Sequence, residues 1–293
     1  MNSITFLAPL GATFSHDAYE ELARTYGAPG LIIEPHSNYL PAPTNRDVLS
    51  MVISHGGYGA VAMETQAEGR VAEALETFIG LVREHGRGSR HPLVVKGAIE
   101  LKISFCLMAW PGVSRALLNG VVAHPKALGA CKQKLQVLGL SQMGVSSNGE
   151  AARLVAEDPA HRMSAALGPA SAARRYGLEI LETAFEDKEA ITTFFLLAPP
   201  ETAVVIGERN RALIVFEVLH RPGALVRALA PFEREGLNLI QIHSVHAGNT
   251  LYHFAIEVSI ASHELPTFAR AMDSFKREVA GHILFGPFSV LSR

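Results

Sequence analysis

RALIVFEVLHRPGALVRALAPFEREGLNLIQIHSVHAGNTLYHFAIEVSIA, residues 211–261, changes its hydrophobic period twice. Branched and aromatic residues dominate 211–219 and predict a strand. GALVRALAPFEREG at 223–236 moves to helical spacing and closes on a glycine. LNLIQIHSVHA and TLYHFAIEVSIA return to strand patterns, with Gly248-Asn249 supplying a hairpin turn. LPTFARAMDSFKREV then predicts a second helix and HILFGPFSVL a last strand. The order is βαββαβ, a four-stranded sheet with both helices on one face. Such a sheet leaves one face open, and an open face or edge commonly meets a second copy, so a homodimer or homotetramer is expected.

Upstream, TTFFLLAP at 192–199 stops at Pro199-Pro200, which places a domain boundary near 200–211. Before it, ITFLAPL at 4–10, AYEELARTYG at 18–27, LIIEP at 31–35, GAVAM at 59–63 and GRVAEALETFIGLVREHG at 69–86 alternate as strands and helices do in α/β proteins. A Gly/Arg/Ser loop at 86–90 leads to the β-rich LVVKGAIELKISFCLMA at 93–109, where a second lobe begins. The expected layout is α/β: a region at 1–200, with lobe 1 at about 1–90 and 180–200 and lobe 2 at about 91–179, then a separate domain at 211–293.

Composition narrows the classes of function. Hydrophobic residues at 48% and charged residues at 18% can fill several cores and exclude a disordered chain. The 26 basic and 28 acidic residues leave a formal charge of -2 without a basic stripe, so neither nucleic acid nor membrane is an expected partner. No basic leader precedes the apolar run in MNSITFLAPLGATFSHD and no apolar stretch is long enough to span a bilayer, so a cytoplasmic location is expected. Cys106 and Cys131 lie far apart, and the 13 histidines include no HExxH, so no disulfide, metal or other cofactor is expected.

Three segments put polar groups where a strand runs into a helix: Gly11-Ala12-Thr13-Phe14-Ser15, His124-Pro125 and Ser147-Asn148-Gly149-Glu150. Helix starts offer unpaired N–H groups and a positive dipole end, so converging starts suit a small dianion such as a dicarboxylate. Ordinary N-capping by Ser, Thr and Asn is the better explanation of any one segment alone. Met63-Glu64-Thr65-Gln66 and Ile191-Thr192-Thr193-Phe194 add hydroxyls and an amide at strand ends, where open α/β sheets put their ligand crevice.

FLAPLGATFSHDA at 6–18, AHPKALGACKQKL at 123–135, VSSNGEAARLV at 145–155 and AALGPASAARRYGLEIL at 165–181 resemble, in this order, the prephenate dehydratase family. ITTFF at 191–195 falls where that family carries a Thr-Arg-Phe motif, and RPGALVRALAPFEREGLNLIQIHS at 221–244 resembles the ACT domain that follows in it. The resemblance implies a cofactor-free lyase with two lobes similar to the type II periplasmic-binding fold, and prephenate in the cleft between them.

Departures from the family pattern bear on the reaction. Its Ile-Glu-Asn-Ser-x-x-Gly is Met63-Glu64-Thr65-Gln66-Ala67-Glu68-Gly69 here, and its Asn-x-Thr-Arg-Phe is Ala190-Ile191-Thr192-Thr193-Phe194. Dehydration expels the C4 hydroxyl as CO2 leaves, which needs hydrogen bonding or proton donation at that oxygen. Decarboxylation alone depends less on those donors and ends with protonation of a ring carbon. The resemblance therefore implies first a non-aromatising prephenate decarboxylase of specialised, antibiotic-type metabolism, and second a dehydratase. An arogenate dehydratase and a non-catalytic metabolite sensor are further alternatives. Thr192, Glu64, His124 and His16 are the candidate donors near the ring. Thr13, Ser15, Thr65, Ser147, Asn148, Thr193 and Phe194 are candidates for holding substrate. In the ACT region Gly223, Ala224, Leu225 and Ser244 match effector positions, but the companion Glu-Ser-Arg-Pro is His243-Ser244-Val245-His246, which argues against phenylalanine feedback.

Overall fold

The apolar run at the start becomes strand β1 (Ile4–Leu7), and the amphipathic segment after it becomes helix α1 (Phe14–Tyr26), which buries Ala18, Tyr19 and Leu22. The computed structural model describes residues 3–26, 39–65, 69–70, 72–85, 92–202, 208–246 and 251–292. The LIIEP run, Gln66, the loop at 86–90 and the Gly248-Asn249 turn lie outside them. The chain continues through β2 (Tyr39–Ala42), α2 (Asn45–His55), β3 (Tyr58–Thr65), β4 (Gly69–Arg70), α3 (Ala72–His85) and β5 (Val94–Ile103). Thr44 caps α2 with a capping box to Asp47, satisfying two donors at that helix start.

A second lobe follows: β6 (Cys106–Ala109), β7 (Gly120–Ala123), α4 (Pro125–Ala130), α5 (Lys132–Leu138), β8 (Ser141–Gly144), α6 (Asn148–Glu157), β9 (Ser164–Gly168), α7 (Ala170–Tyr176) and β10 (Glu179–Glu182). Its sheet runs β10-β6-β9-β7-β8. The chain then returns as β11 (Ala190–Ala198) to the middle of the first sheet, between β5 and β3. That position explains the FFLLA run, because a strand covered on both faces carries no alternation.

The C-terminal domain is β12 (Arg211–Leu219), α8 (Ala224–Arg234), β13 (Leu239–His246), β14 (Leu251–Ser259), α9 (Leu265–Phe275) and β15 (Gly281–Phe288), in the expected βαββαβ order. Its sheet runs β13-β14-β12-β15, with Ala228, Phe232, Phe268 and Phe275 of the two helices on one face. A last strand, β16 (Val290–Ser292), leaves this domain and pairs in parallel with β5. Asn210 clasps its start through the N–H and C=O of Val290, at 2.8 and 3.2 Å.

Three expectations need correction. Strand β5 belongs to the first sheet rather than to lobe 2, and Val290–Ser292 joins that sheet rather than the C-terminal one. The face of the C-terminal sheet thought free for a second copy is filled from within the chain: Leu213, Val215, Ile283 and Phe285 join a core with Val48, Val52, Phe78 and Phe195. Phe285 meets Phe78 with ring centroids 4.5 Å apart, and Phe288 meets Phe195 at 5.1 Å. Each such burial is worth about 1.5–3 kcal/mol, against ~0–1 for an exposed ion pair, so apolar packing holds this seam. Among the described residues no helix is long and apolar enough to cross a membrane.

Candidate active site

Strand β11 divides the motif at 190–194 between two faces of the first sheet. Phe194 is buried in the core beneath α1 with Phe6 and Ile99, whereas Phe195 faces the core shared with the C-terminal domain. Successive residues of a strand point to opposite faces, so Ala190 and Thr192 share the α1 side and Thr193 shares the other. Thr192 is 5% exposed and stands opposite Thr65 of β3 and Leu101 of β5. Only the backbone of Thr65 is described, so its register is its whole structural account. Thr193 stands opposite Glu64 and Glu100.

This arrangement corrects three assignments. Thr193 lies on the opposite face of the sheet from Thr192, so the two hydroxyls do not share a surface. Phe194 is 2% exposed and is core. Glu64 follows an irregularity in the β3–β11 register and accepts a hydrogen bond from Gln241 Nε2 of β13, so it is engaged by the C-terminal domain rather than by the face of Thr192.

On the α1 side the helix starts do come together. The two lobes meet where Gly149, at the start of α6, lies against Pro9 and Ala12 ahead of α1. A Cβ at position 149 would stand 2.5 Å from Pro9 Cδ and 2.9 Å from the Ala12 carbonyl oxygen, so only glycine permits this approach. Asn148 Oδ1 accepts from the His124 backbone N–H at 3.0 Å, joining the starts of α6 and α4. A second contact between the lobes is the hydrogen bond that Ser171 of α7 donates to Asp17 of α1, at 3.0 Å.

The predicted capping roles are all in use. Thr13 Oγ1 donates to the Leu7 carbonyl and accepts from the His16 N–H, both at 3.2 Å. Ser147 Oγ accepts from the Glu150 N–H at 3.1 Å, and His124 Nδ1 accepts from the Lys126 N–H at 3.2 Å. An accepting Nδ1 places the proton of the neutral His124 imidazole on Nε2. The caps take up the His16 and Glu150 amides, and the first turns of α1 and α6 keep their positive dipole ends close to where the lobes touch. Ser15 is 3% exposed in that first turn. His16 lies edge-on to Phe6 at 5.2 Å, with Asp17 and Glu20 carboxylates each 3.7 Å from its ring nitrogens. Its Nδ1 has no hydrogen bond among the described residues.

Tyr39 of β2 lies tilted against the same Phe6 at 4.6 Å, and burial, with Tyr176 of α7 adding to it, raises its phenol well above the usual range. It is therefore a neutral hydroxyl at any working pH. Tyr39 and Gln241 were not singled out in the sequence, and Gly149 entered only as part of the Ser147–Glu150 segment. Only Gly149 had a signal, a glycine directly after a predicted N-cap.

Gly223 takes φ 75° as the N-cap of α8, Ala224 and Leu225 pack into the C-terminal core, and Ser244 is exposed on β13. An open groove of about 590 Å³ lies on the other side of α8, between Val226, Leu229 and Glu233 and the turn Gly236–Leu239.

Neither cysteine offers a nucleophile. Burial, reinforced by Asp187 and Glu186, pushes the Cys131 thiol from 9.0 up to about 12, and burial also raises Cys106. A thiol raised in the folded state favours folding below its unfolded pKa. That contribution is lost as pH climbs from about 9 towards 12. Titration with a disulfide reagent at pH 8 is expected to label neither thiol in the native protein and both after unfolding. Rapid native labelling of Cys131 would contradict its burial.

The prephenate dehydratase family model matches residues 4–202. A bifunctional chorismate mutase/prephenate dehydratase of Stutzerimonas stutzeri is 26% identical over 79% of this chain and 60% of its own length. Arogenate dehydratase 2 of Petunia hybrida is 31% identical over 62% of this chain and 47% of its own. The chain thus spans 60% and 47% of these two curated relatives. The prephenate dehydratase of Corynebacterium glutamicum is 27% identical over 90% of this chain and 80% of its own. Among solved structures, a prephenate dehydratase from Arthrobacter aurescens in complex with L-Phe matches with a TM-score of 0.79 at 24% identity, covering 97% of this chain and 89% of that one. GqqA, described as a novel type of quorum quenching acylase, matches with a TM-score of 0.75 at 24%, covering 99% and 98%. At such identities the likeness establishes the fold, and two differently named activities on one fold leave the reaction to the site.

Proposed function

This chain belongs to the prephenate dehydratase family, and we propose that it is a lyase acting on prephenate that removes the ring carboxylate and leaves the ring non-aromatic. The observation that carries this reading is the face of Thr192. It is a buried hydroxyl on the central strand, with Ala190 on the same side. The neighbouring first turns of α1 and α6, with their positive dipole ends, suit the carboxylates of prephenate.

When the C1–carboxylate bond breaks, CO2 departs and its electron pair enters the diene. If the C4 hydroxyl stays, a proton added to a ring carbon completes a dihydro-4-hydroxyphenylpyruvate. If the hydroxyl leaves as water, the same electrons close the aromatic ring and phenylpyruvate results. The second route needs strong donation at the C4 oxygen, and Ala190 adds no donor beside Thr192.

A dehydratase is the second reading, favoured by the orientation of Thr193. Because Thr193 faces the C-terminal domain, the lack of an arginine there takes no donor from the cleft. The edge of β13, unpaired among the described residues, with Ile240 and Ile242 exposed beside the α8 groove, supports a homo-oligomer built through the C-terminal domain.

The test is to incubate the protein with prephenate at neutral to mildly alkaline pH and follow CO2, the ultraviolet spectrum and product mass. A hydroxylated, non-aromatic product formed with CO2 is expected. Phenylpyruvate would replace the decarboxylase by the dehydratase. Absence of turnover, with arogenate converted instead, would move the substrate to the amino acid. Tight prephenate binding without any turnover would leave a metabolite sensor.

A further inference from the structure

The side of β11 that carries Thr193 forms a row across three strands, Glu64 on β3, Thr193 on β11 and Glu100 on β5. Two carboxylates thus stand two strands apart, roughly 10 Å, on one face, with only a hydroxyl between them. Both are met by the C-terminal domain. Gln241 Nε2 donates to Glu64, and the Gln241 side-chain oxygen lies 3.3 Å from His243 Nε2, two residues along the same strand. Arg211, the first residue of β12, has its guanidinium 3.9 Å from Glu100 and 3.5 Å from Glu257 of its own sheet. Strand β16 completes the contact, pairing Ser292 with Glu100.

The strands held in this way flank the one that bears Thr192, and Glu64 directly precedes Thr65, the register partner of Thr192. We propose that Arg211 and Gln241 are positioning residues for the site: acting through Glu100 and Glu64, they fix β11 so that the Thr192 hydroxyl is held at the cleft without any bound effector. The inference rests on Thr192 facing substrate. These polar contacts are half-exposed and add little to global stability, whereas a displacement of about 1 Å at a reacting group can cost about 100-fold in rate. Their removal should therefore show in kcat more than in melting temperature.

The experiment uses the full chain as wild type, R211Q, Q241L, the double variant and the conservative R211K. Amide hydrogen exchange at residues 190–195 is followed beside steady-state turnover of prephenate. The double variant is expected to exchange those amides about tenfold faster, with residues 164–168 of lobe 2 unchanged. Its kcat is expected to fall about tenfold with KM within about twofold, and R211K to keep most of the activity that R211Q loses. Unchanged exchange at 190–195 would overturn the proposal, as would uniform loosening of both lobes, which a merely structural role produces. If the wild type does not convert prephenate, the functional reading fails separately, and local loosening at 190–195 still supports the brace.

Discussion

Replacing Thr192 by valine is expected to lower kcat by about 100-fold or more while leaving KM within a few-fold. Valine keeps the shape and branching of threonine, so the central strand retains its packing and only the hydroxyl is lost. Thr192 is 5% exposed on a strand paired on both sides, with β5 and β3, so its hydroxyl is largely shielded from solvent. A preorganised donor in such a place acts on developing charge without reorganising. Threonine is far too weak an acid to surrender its proton, so its contribution is a hydrogen bond to a polar atom of the ring substituents. T192S restores the hydroxyl and is expected to recover a substantial part of the rate. The same hydroxyl is lost under either product outcome, so the test separates the role of Thr192 from the choice between decarboxylation and dehydration. If T192V turned prephenate over at a third or more of the wild-type rate, Thr192 would have no part in the chemistry.

Much of the fold could be read from period and punctuation. The βαββαβ order came from the switch between strand and helix spacing at 211–291, and the stop near 200 from Pro199-Pro200. The sequence did not reveal which parts share a sheet. Strand β5 lies in one β-rich run with β6, yet the two enter different sheets, and hydrophobicity carries no record of that parting. Nor does anything in FSVLSR announce that Val290–Ser292 crosses to another domain.

The site was legible as a list of residues but not as a surface. Thr192, Thr193 and Phe194 are neighbours in the chain and were read as one patch. The pleat sends Thr193 to the opposite face, and Phe194 is taken into the core. Alternation would have separated them, but the strand is buried on both sides from 194 to 198, so the pattern that distinguishes faces is erased where it was needed. Glu64 misled for a related reason. Its orientation follows a register irregularity beside it, and its partner Gln241 lies in another domain, 177 positions away. Capping positions fared better, since Thr13, His124 and Ser147 are fixed by local chemistry that a sequence records directly.

The second large effect is expected at Gly149, where the two lobes touch. A valine there would place its Cβ 2.5 Å from Pro9 Cδ and 2.9 Å from the carbonyl oxygen of Ala12. Neither atom belongs to a flexible side chain: one is in a proline ring and the other is backbone, so no rotamer change relieves the overlap. Ala12 is fully buried against Val122, Ala151 and Ala166 of lobe 2, so moving it would open that core as well. The cheaper response is for the lobes to part, which separates the first turn of α6 from that of α1 and takes Asn148 with it. Overpacking of this kind costs about 1–3 kcal/mol, enough to lower the melting temperature without unfolding the chain. Catalysis should suffer far more, because a misplacement of about 1 Å can cost about 100-fold. G149V is therefore expected to lose about 100-fold in kcat/KM, with G149A intermediate. G129A is the matched control: it lies in the same lobe and its added methyl would meet nothing within 4 Å. Near-normal kcat/KM in G149V would mean that the starts of α1 and α6 do not act together on the substrate, and the dicarboxylate reading of the cleft would fall with it.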